Sequence, residues 1–323
     1  MTTSLSFGLV GAGWIGSFHA ETLASRLPGV RLAAVADPDP RAAGRLNAPT
    51  TYRDPLELIA DPSIEAVAIC SPAATHADLV IAAASAGKPV FCEKPMALTL
   101  ADADRAIAAA DAAGVALQVG FNRRFADDFA AMRNRIADGA IGTPQMLRSL
   151  TRDPGISADV AARVKPWTIF NETLIHDFDT LCWLNPGAQV TQVYAQADAL
   201  IHPALRDSGF LDTAVVQLRF DNGAFAVAEA SFQAIYGYDV RGEVFGSQGV
   251  LLAGRSPDHA AAGNTELFAE AYVAQFAHFA ECIRTGSQPS VTGRDARVAL
   301  DIAIAARESV QMGAPVALTG VLR

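Results

Sequence analysis

An apolar run, Leu5–Val10, passes directly into Gly11-Ala12-Gly13-Trp14-Ile15-Gly16, and a helical pattern follows over Ile15–Arg26. The spacing G-x-G-x-x-G is weak evidence alone. Between a strand and a helix it constrains the chain strongly, because few corners need three glycines so placed. The pattern then repeats without the glycines. Candidate strands Arg31–Ala36, Ala66–Cys70, Pro89–Cys92 and Val115–Gly120 alternate with helical patterns at Pro40–Leu46, Pro55–Ala60, Ala74–Ala86 and Leu100–Ala113. Gly29, Gly87 and Gly114 stand where helix C-caps belong. Strand–helix alternation predicts a parallel sheet covered on both faces, a doubly wound α/β domain.

At 323 residues the chain exceeds one ordinary core, so two domains are expected. The texture changes after Phe121. A helix near Asp127–Asp138, a strand at Pro144–Arg152 and an irregular stretch, Asp153 to Trp167, lead to a helix at Thr173–Leu184. Runs of β character follow at Val190–Ala199, Asp212–Phe220, Ala224–Phe232, Asp239–Gly246 and Val250–Ala253. Asp221-Asn222-Gly223 between two of these is a hairpin signal. Helices at Glu266–Arg284 and Gly293–Met312 close the chain. The expected organisation is an N-terminal Rossmann domain over 1–121, then an α+β domain over 122–323 with a largely antiparallel, open sheet.

A formal charge of −9 argues against nucleic acid and anionic membranes as partners. No apolar run reaches the length of a membrane helix, and no basic segment precedes the first one, so neither anchor nor export leader is expected. Cys70, Cys92, Cys182 and Cys282 lack paired spacing and read as small apolar residues in a reducing, cytoplasmic compartment.

The glycine turn and its surroundings suit a dinucleotide. Gly11 makes the tight turn, Gly13 lets the backbone approach a pyrophosphate, and Gly16 packs the helix on the sheet. Trp14 and Ile15 begin the helix whose amino terminus faces the phosphates. Asp37 ends the next strand, 21 residues beyond Gly16, where a carboxylate accepts ribose hydroxyls and repels a 2′-phosphate. NAD is therefore expected, while Arg41 nearby keeps NADP open. Ser71 and Thr75 follow the next strand and line the cofactor, or Thr75 caps its helix. His76, near a helix start, is expected at the surface.

Lys94 follows an apolar strand abruptly in Val90-Phe91-Cys92-Glu93-Lys94-Pro95. An ammonium there can hold a substrate hydroxyl and stabilise developing alkoxide, or it pairs with Glu93. In Glu172-Thr173-Leu174-Ile175-His176-Asp177-Phe178-Asp179, helical spacing places Glu172, His176 and Asp179 on one face. A carboxylate one turn from an imidazole suits a general base, and a core histidine is the plain alternative. Arg123 or Arg124 holds a polar substrate or one of them ties the two expected domains together, and Tyr236 covers a sugar-like ring or packs. Glu172 and His176 are two metal-type ligands without a third at matching spacing, and Lys94 would repel a divalent cation. No metal is expected.

In this order the motifs resemble the Gfo/Idh/MocA oxidoreductase family, most nearly its inositol 2-dehydrogenase branch. The likeness runs through Gly11–Gly16 with Asp37, Glu93-Lys94-Pro95, Gly120-Phe121-Asn122-Arg123-Arg124-Phe125, Ile175–Asp179, and Tyr236-Gly237-Tyr238-Asp239-x-Arg241-x-Glu243-x-Phe245-Gly246. The resemblance implies NAD-dependent oxidation of a secondary ring hydroxyl on a cyclitol or sugar. It implies catalysis by Lys94 and His176, with Glu172 where the family usually has aspartate. Glu93 and Lys94 join the cofactor set; Lys94, Arg123, Glu172, His176 and Tyr236 form the substrate set. It also implies a homodimer or homotetramer through the second sheet. An NAD(P)-dependent keto-sugar reductase and a cofactor-binding sensor without turnover are the alternative readings. Trp167-Thr168-Ile169-Phe170 stands where the family commonly has a glycine pair.

Overall fold

The computed structural model describes residues 4–254 and 263–318. The first sheet is built from six strands: β1 (Leu5–Val10), β2 (Val30–Ala36), β3 (Thr50–Tyr52), β4 (Ala66–Ile69), β5 (Val90–Cys92) and β6 (Leu117–Val119). Every pairing is parallel, in the order β3-β2-β1-β4-β5-β6. β1, β4 and β5 are buried along their whole lengths, as strands with helices on both faces must be. The intervening helices start where the chemistry directs. Asp39 and Asp54 accept the backbone N–H groups of Arg41 and Leu56 ahead of a proline, and Thr99 accepts that of Asp102.

The chain divides into two compact units, and the division is not a single cut. One unit holds the chain up to Asn122 together with Glu270–Arg297; the other holds Arg123–Ala269 and the chain from Val298. The expected boundary near 121/122 thus lies close, but the segment Glu270–Arg297, expected in the second domain, packs with the first. Its helix, Ala269–Thr285, buries Tyr272, Phe276, Phe279 and Ala280 on one face. Phe276 lies 4.2 Å from Phe91 and 6.2 Å from Phe7, ring to ring. Two aromatic side chains on the sheet need an apolar cover, and sequence distance does not matter to that demand.

The second sheet comprises β7 (Pro144–Arg152), β8 (Val190–Asp198), β9 (Thr213–Phe220), β10 (Phe225–Ser231), β11 (Asp239–Gly246), β12 (Gly249–Gly254) and β13 (Val316–Ala317), ordered β12-β11-β7-β10-β9-β8-β13. It is mostly antiparallel, with one parallel pair, β7 with β10. Two strands that far apart in sequence can run parallel because a long crossover joins them. β9 and β10 alternate buried and open residues, so one face packs and the other is exposed. Two short strands escaped the sequence reading: β3 lies at the sheet edge with little burial, and β13 has two residues. Among the described residues no helix is long and apolar enough to cross a membrane.

Candidate active site

The glycine turn is explained by space. Gly11 has φ +95°, and a Cβ there would lie 2.6 Å from the Ser71 backbone nitrogen. A Cβ on Gly16 would sit 1.9 Å from the Gly11 carbonyl oxygen. At Gly13 a Cβ would meet nothing within 4 Å, so this glycine keeps an approach open, not an internal contact. Trp14, 63 % exposed, and the half-buried Ile15 begin the helix Trp14–Glu21 at that opening. Asp37 is fixed from two sides: Ala12 N–H donates to Oδ2 and Asp39 N–H to Oδ1, both at 2.8 Å. Each oxygen keeps a lone pair for a ribose hydroxyl. The open backbone at Gly13 and the anchored carboxylate at Asp37 fit a dinucleotide.

Ser71 and Thr75 face each other, hydroxyl to hydroxyl at 2.7 Å, and Thr75 Oγ1 also donates to the Pro72 carbonyl. Thr75 makes no side-chain cap to its helix, so the capping alternative does not hold. His76 is buried, contrary to its expected surface position, with Nδ1 2.8 Å from the Pro95 carbonyl and Nε2 2.7 Å from the Ser71 carbonyl. Its neighbours in sequence gave no sign that two loop carbonyls would converge on the ring.

Lys94 is half-buried at the carboxyl end of β5, where ligands of parallel sheets bind, and the Lys94–Pro95 bond is cis. Glu93 does not open toward a ligand. It is 6 % exposed, and its Oε1 lies 2.7 Å from His19 Nε2. Its Oε2 accepts the Lys94 backbone N–H at 3.2 Å. Burial pushes this carboxyl up; the hydrogen bond and charge of His19, with Lys94, outweigh it and hold the group below its ordinary value. The Glu93 side chain, expected in the cofactor set, is thus engaged in internal contacts. His19 was missed by the sequence reading, and its place three residues after Gly16 was the available signal.

In the second unit the helix expected from Thr173 begins as a π-helical turn, Ile169–Leu174, and becomes α-helical over Ile175–Leu184. Trp167 ahead of it takes a left-handed φ of 67° and stacks on Phe170, 6.4 Å away. Such turns and strained residues recur at functional sites. Glu172 is exposed and His176 half-buried. Asp179, expected on their face, is instead buried in a two-pronged pair with Arg124, whose Nε and Nη2 lie 2.9 and 2.5 Å from its oxygens. Arg123, expected among substrate contacts, is 2 % exposed and turned inward. Its Nη1 donates to Asp177 Oδ1 at 2.7 Å and its Nη2 to Thr151 Oγ1 at 2.5 Å. Ser149 and Thr151 hydroxyls donate to the same Asp177 carboxylate, both at 2.6 Å. The two arginines therefore anchor the helix that carries His176. Tyr236 is partly exposed, and its hydroxyl donates to Asp239 Oδ2 at 2.9 Å. Cys70, Cys92 and Cys282 are buried free thiols, with Cys70 and Cys92 pushed up first by burial.

A parallel sheet with a glycine-built turn, an anchored acid after β2 and a lysine after β5 defines a nicotinamide-dinucleotide oxidoreductase carrying a second α+β domain. The chain belongs to the Gfo/Idh/MocA oxidoreductase family: residues 5–121 match its NAD-binding Rossmann domain and residues 129–252 its C-terminal domain. It is 37 % identical to myo-inositol 2-dehydrogenase of Thermotoga maritima, over 98 % of this chain and 100 % of that one. It is likewise 37 % identical to the NAD(+)-dependent scyllo-inositol 2-dehydrogenase of Bacillus subtilis, over 96 % and 95 % of the two. A crystal structure of myo-inositol dehydrogenase from Lactobacillus casei with NAD(H) and myo-inositol aligns with a TM-score of 0.89 and 25 % identity, covering 99 % and 98 % of the chains.

Proposed function

We propose that the protein is an NAD-dependent inositol 2-dehydrogenase, oxidising a secondary ring hydroxyl of a cyclitol to a ketone. The observation that carries the dinucleotide half is the turn itself, open at Gly13 and flanked by the doubly anchored Asp37. The substrate half rests on the inositol dehydrogenases to which the chain is similar over nearly its whole length. Gly11–Gly16 with Trp14 and Ile15 receive the pyrophosphate, Asp37 the adenosine ribose, and Ser71 and Thr75 the neighbouring part of the cofactor. When bound, NAD⁺ accepts the hydride released from the substrate carbon.

His176 takes the hydroxyl proton as general base, and the electron pair of the broken O–H bond becomes the second bond of the carbonyl. Lys94 donates a hydrogen bond to that oxygen, which lowers the cost of its developing charge. Glu172 binds a neighbouring hydroxyl or orients His176, and Tyr236 borders the ring. In the reverse direction His176 returns the proton. A panel of myo-inositol, scyllo-inositol, glucose and xylose, each with NAD⁺ and with NADP⁺, is expected to show reduction of NAD⁺ by an inositol. Turnover only of a keto sugar with reduced cofactor, or none despite NAD⁺ quenching of the protein's tryptophan fluorescence, overturns the assignment. The buried thiols suit a reducing compartment, and we place the protein in the cytoplasm.

The second sheet supports a homo-oligomer. Val250, Phe245, Met146 and Phe225 lie in one register row across β12, β11, β7 and β10, and all are exposed. An apolar row of this kind on a sheet face is a contact surface, and a two-fold pairing with a second copy covers it with itself. Light scattering is expected to give a dimer or tetramer, and Phe245→Glu a smaller species. A wild-type protein of single-chain mass overturns it.

A further inference from the structure

His19 and His76 are buried, lie outside the proposed proton path, and converge on the segment that carries Lys94. His19 is 0 % exposed and enclosed by the rings of Phe18, Phe91, Tyr272 and Phe276, whose centroids lie 4.9–6.1 Å away. Its Nδ1 meets no hydrogen-bond partner among the described residues, so Glu93 is the polar contact of the ring. A carboxylate can only accept; His19 Nε2 therefore carries the proton in this bond. Aromatic walls fix the ring plane, and a short buried hydrogen bond of this kind holds the carboxylate strongly in place.

The carboxylate has no freedom on its other side. A Cβ on Gly120 would lie 3.0 Å from Glu93 Cδ and Oε1 and 3.1 Å from Oε2. Glu93 is thus wedged between His19 and the Gly120 backbone while its Oε2 receives the N–H of Lys94. Beyond the lysine, His76 Nδ1 approaches the Pro95 carbonyl and Nε2 the Ser71 carbonyl. Lys94 is bounded on each side by a residue clamped to a histidine. The clamps reach back to the glycine turn through the Trp14–Glu21 helix and to the end of β4.

We propose that His19, with His76, is a positioning residue for Lys94: the His19–Glu93 contact sets where the Lys94 amine stands. This rests on the catalytic role given to Lys94 above. A catalytic group misplaced by about 1 Å can lose roughly 10²-fold in rate, so a brace is worth that much without touching substrate.

The test uses the whole protein and two independent readouts. The chain has three lysines, Lys88, Lys94 and Lys165, so labelling by trinitrobenzenesulfonate, resolved by peptide mass, reads Lys94 against an internal reference. Turnover of myo-inositol with NAD⁺ is the second. His19→Ala is expected to shift the Lys94 labelling rate relative to Lys165 and to lower kcat about 10²-fold, with NAD⁺ affinity retained. The primary deuterium isotope effect on kcat should rise as hydride transfer becomes limiting. His19→Gln places an N–H donor near the Nε2 position and should restore both readouts. A folded His19→Ala with wild-type labelling and kcat overturns the brace, as does a His19→Gln variant as impaired as alanine. Should His19→Ala fail to fold, Gly120→Ala displaces Glu93 from the opposite side; wild-type labelling and turnover there overturn it equally. A wild type that never oxidises an inositol sinks the proposed function, while the Lys94 labelling shift still decides the brace.

Discussion

His176→Ala is expected to lower kcat by about 10²–10⁴-fold, the usual contribution of a general base, while NAD⁺ binding stays at the wild-type level. The separation follows from where the residues stand in the chain. The groups assigned to the cofactor, Gly11–Gly16 and Asp37, are organised by contacts within the first unit, and His176 belongs to the second. The Ile175–Leu184 helix should survive the change. Its other members, Asp177, Phe178, Asp179 and Leu181, are buried, and two of them hold arginines. The substitution therefore removes one half-buried imidazole and leaves the frame. Stopped-flow reduction of NAD⁺ by an inositol measures the loss at the chemical step, and titration of the protein's tryptophan fluorescence measures NAD⁺ affinity. Equal rates in variant and wild type would remove His176 from the mechanism. Weakened NAD⁺ binding with unchanged kcat would move it to the cofactor.

The first unit was largely legible because its constraints are local. Gly16 is required by the Gly11 carbonyl of the same turn, Gly11 has a left-handed φ, and Asp37 lies one strand further on, although the Cys70–Ser71 backbone that also crowds Gly11 is distant in sequence. Parallel strands with helical crossovers write a regular alternation of apolar runs, and that alternation needs no tertiary knowledge. What escaped were residues whose meaning lies in a distant partner. Nothing near Phe276 tells that it will lie against Phe91, and so Glu270–Arg297 was placed in the wrong unit. Glu93 beside Lys94 reads as a lysine partner or a cofactor contact until His19, 74 positions away, takes its carboxylate. Arg123 read as a substrate ligand for the same reason. An arginine beside a candidate site and an arginine under a helix have the same sequence signature, and only burial separates them. The π-turn at Ile169–Leu174 left no periodicity to detect, because it spans a single turn.

The arginine under the helix makes the second large effect. Asp177 is 0 % exposed and takes three donors: Arg123 Nη1, Ser149 Oγ and Thr151 Oγ1. Burial disfavours the Arg123 cation, and Asp177, with Tyr238 and Asp153, outweighs this, so the guanidinium is held above its ordinary range. Asp177→Ala leaves that cation buried without its hydrogen-bonded carboxylate, with the Thr151 hydroxyl in contact and Asp153 as the nearby charge that remains. Breaking one side of a buried pair typically costs about 3–5 kcal/mol, far more than an exposed pair. The variant is expected to lose that much in urea unfolding of the second unit, with the loss appearing before any effect on the glycine turn. The double variant Asp177→Ala, Arg123→Met removes both charges and fills part of the guanidinium's volume. It should recover most of the loss, since an apolar pair can replace a buried ion pair at little cost. If the single and double variants are equally destabilised, the cost lies in the lost hydroxyl contacts of Ser149 and Thr151, and the ion pair is not what anchors the helix bearing His176.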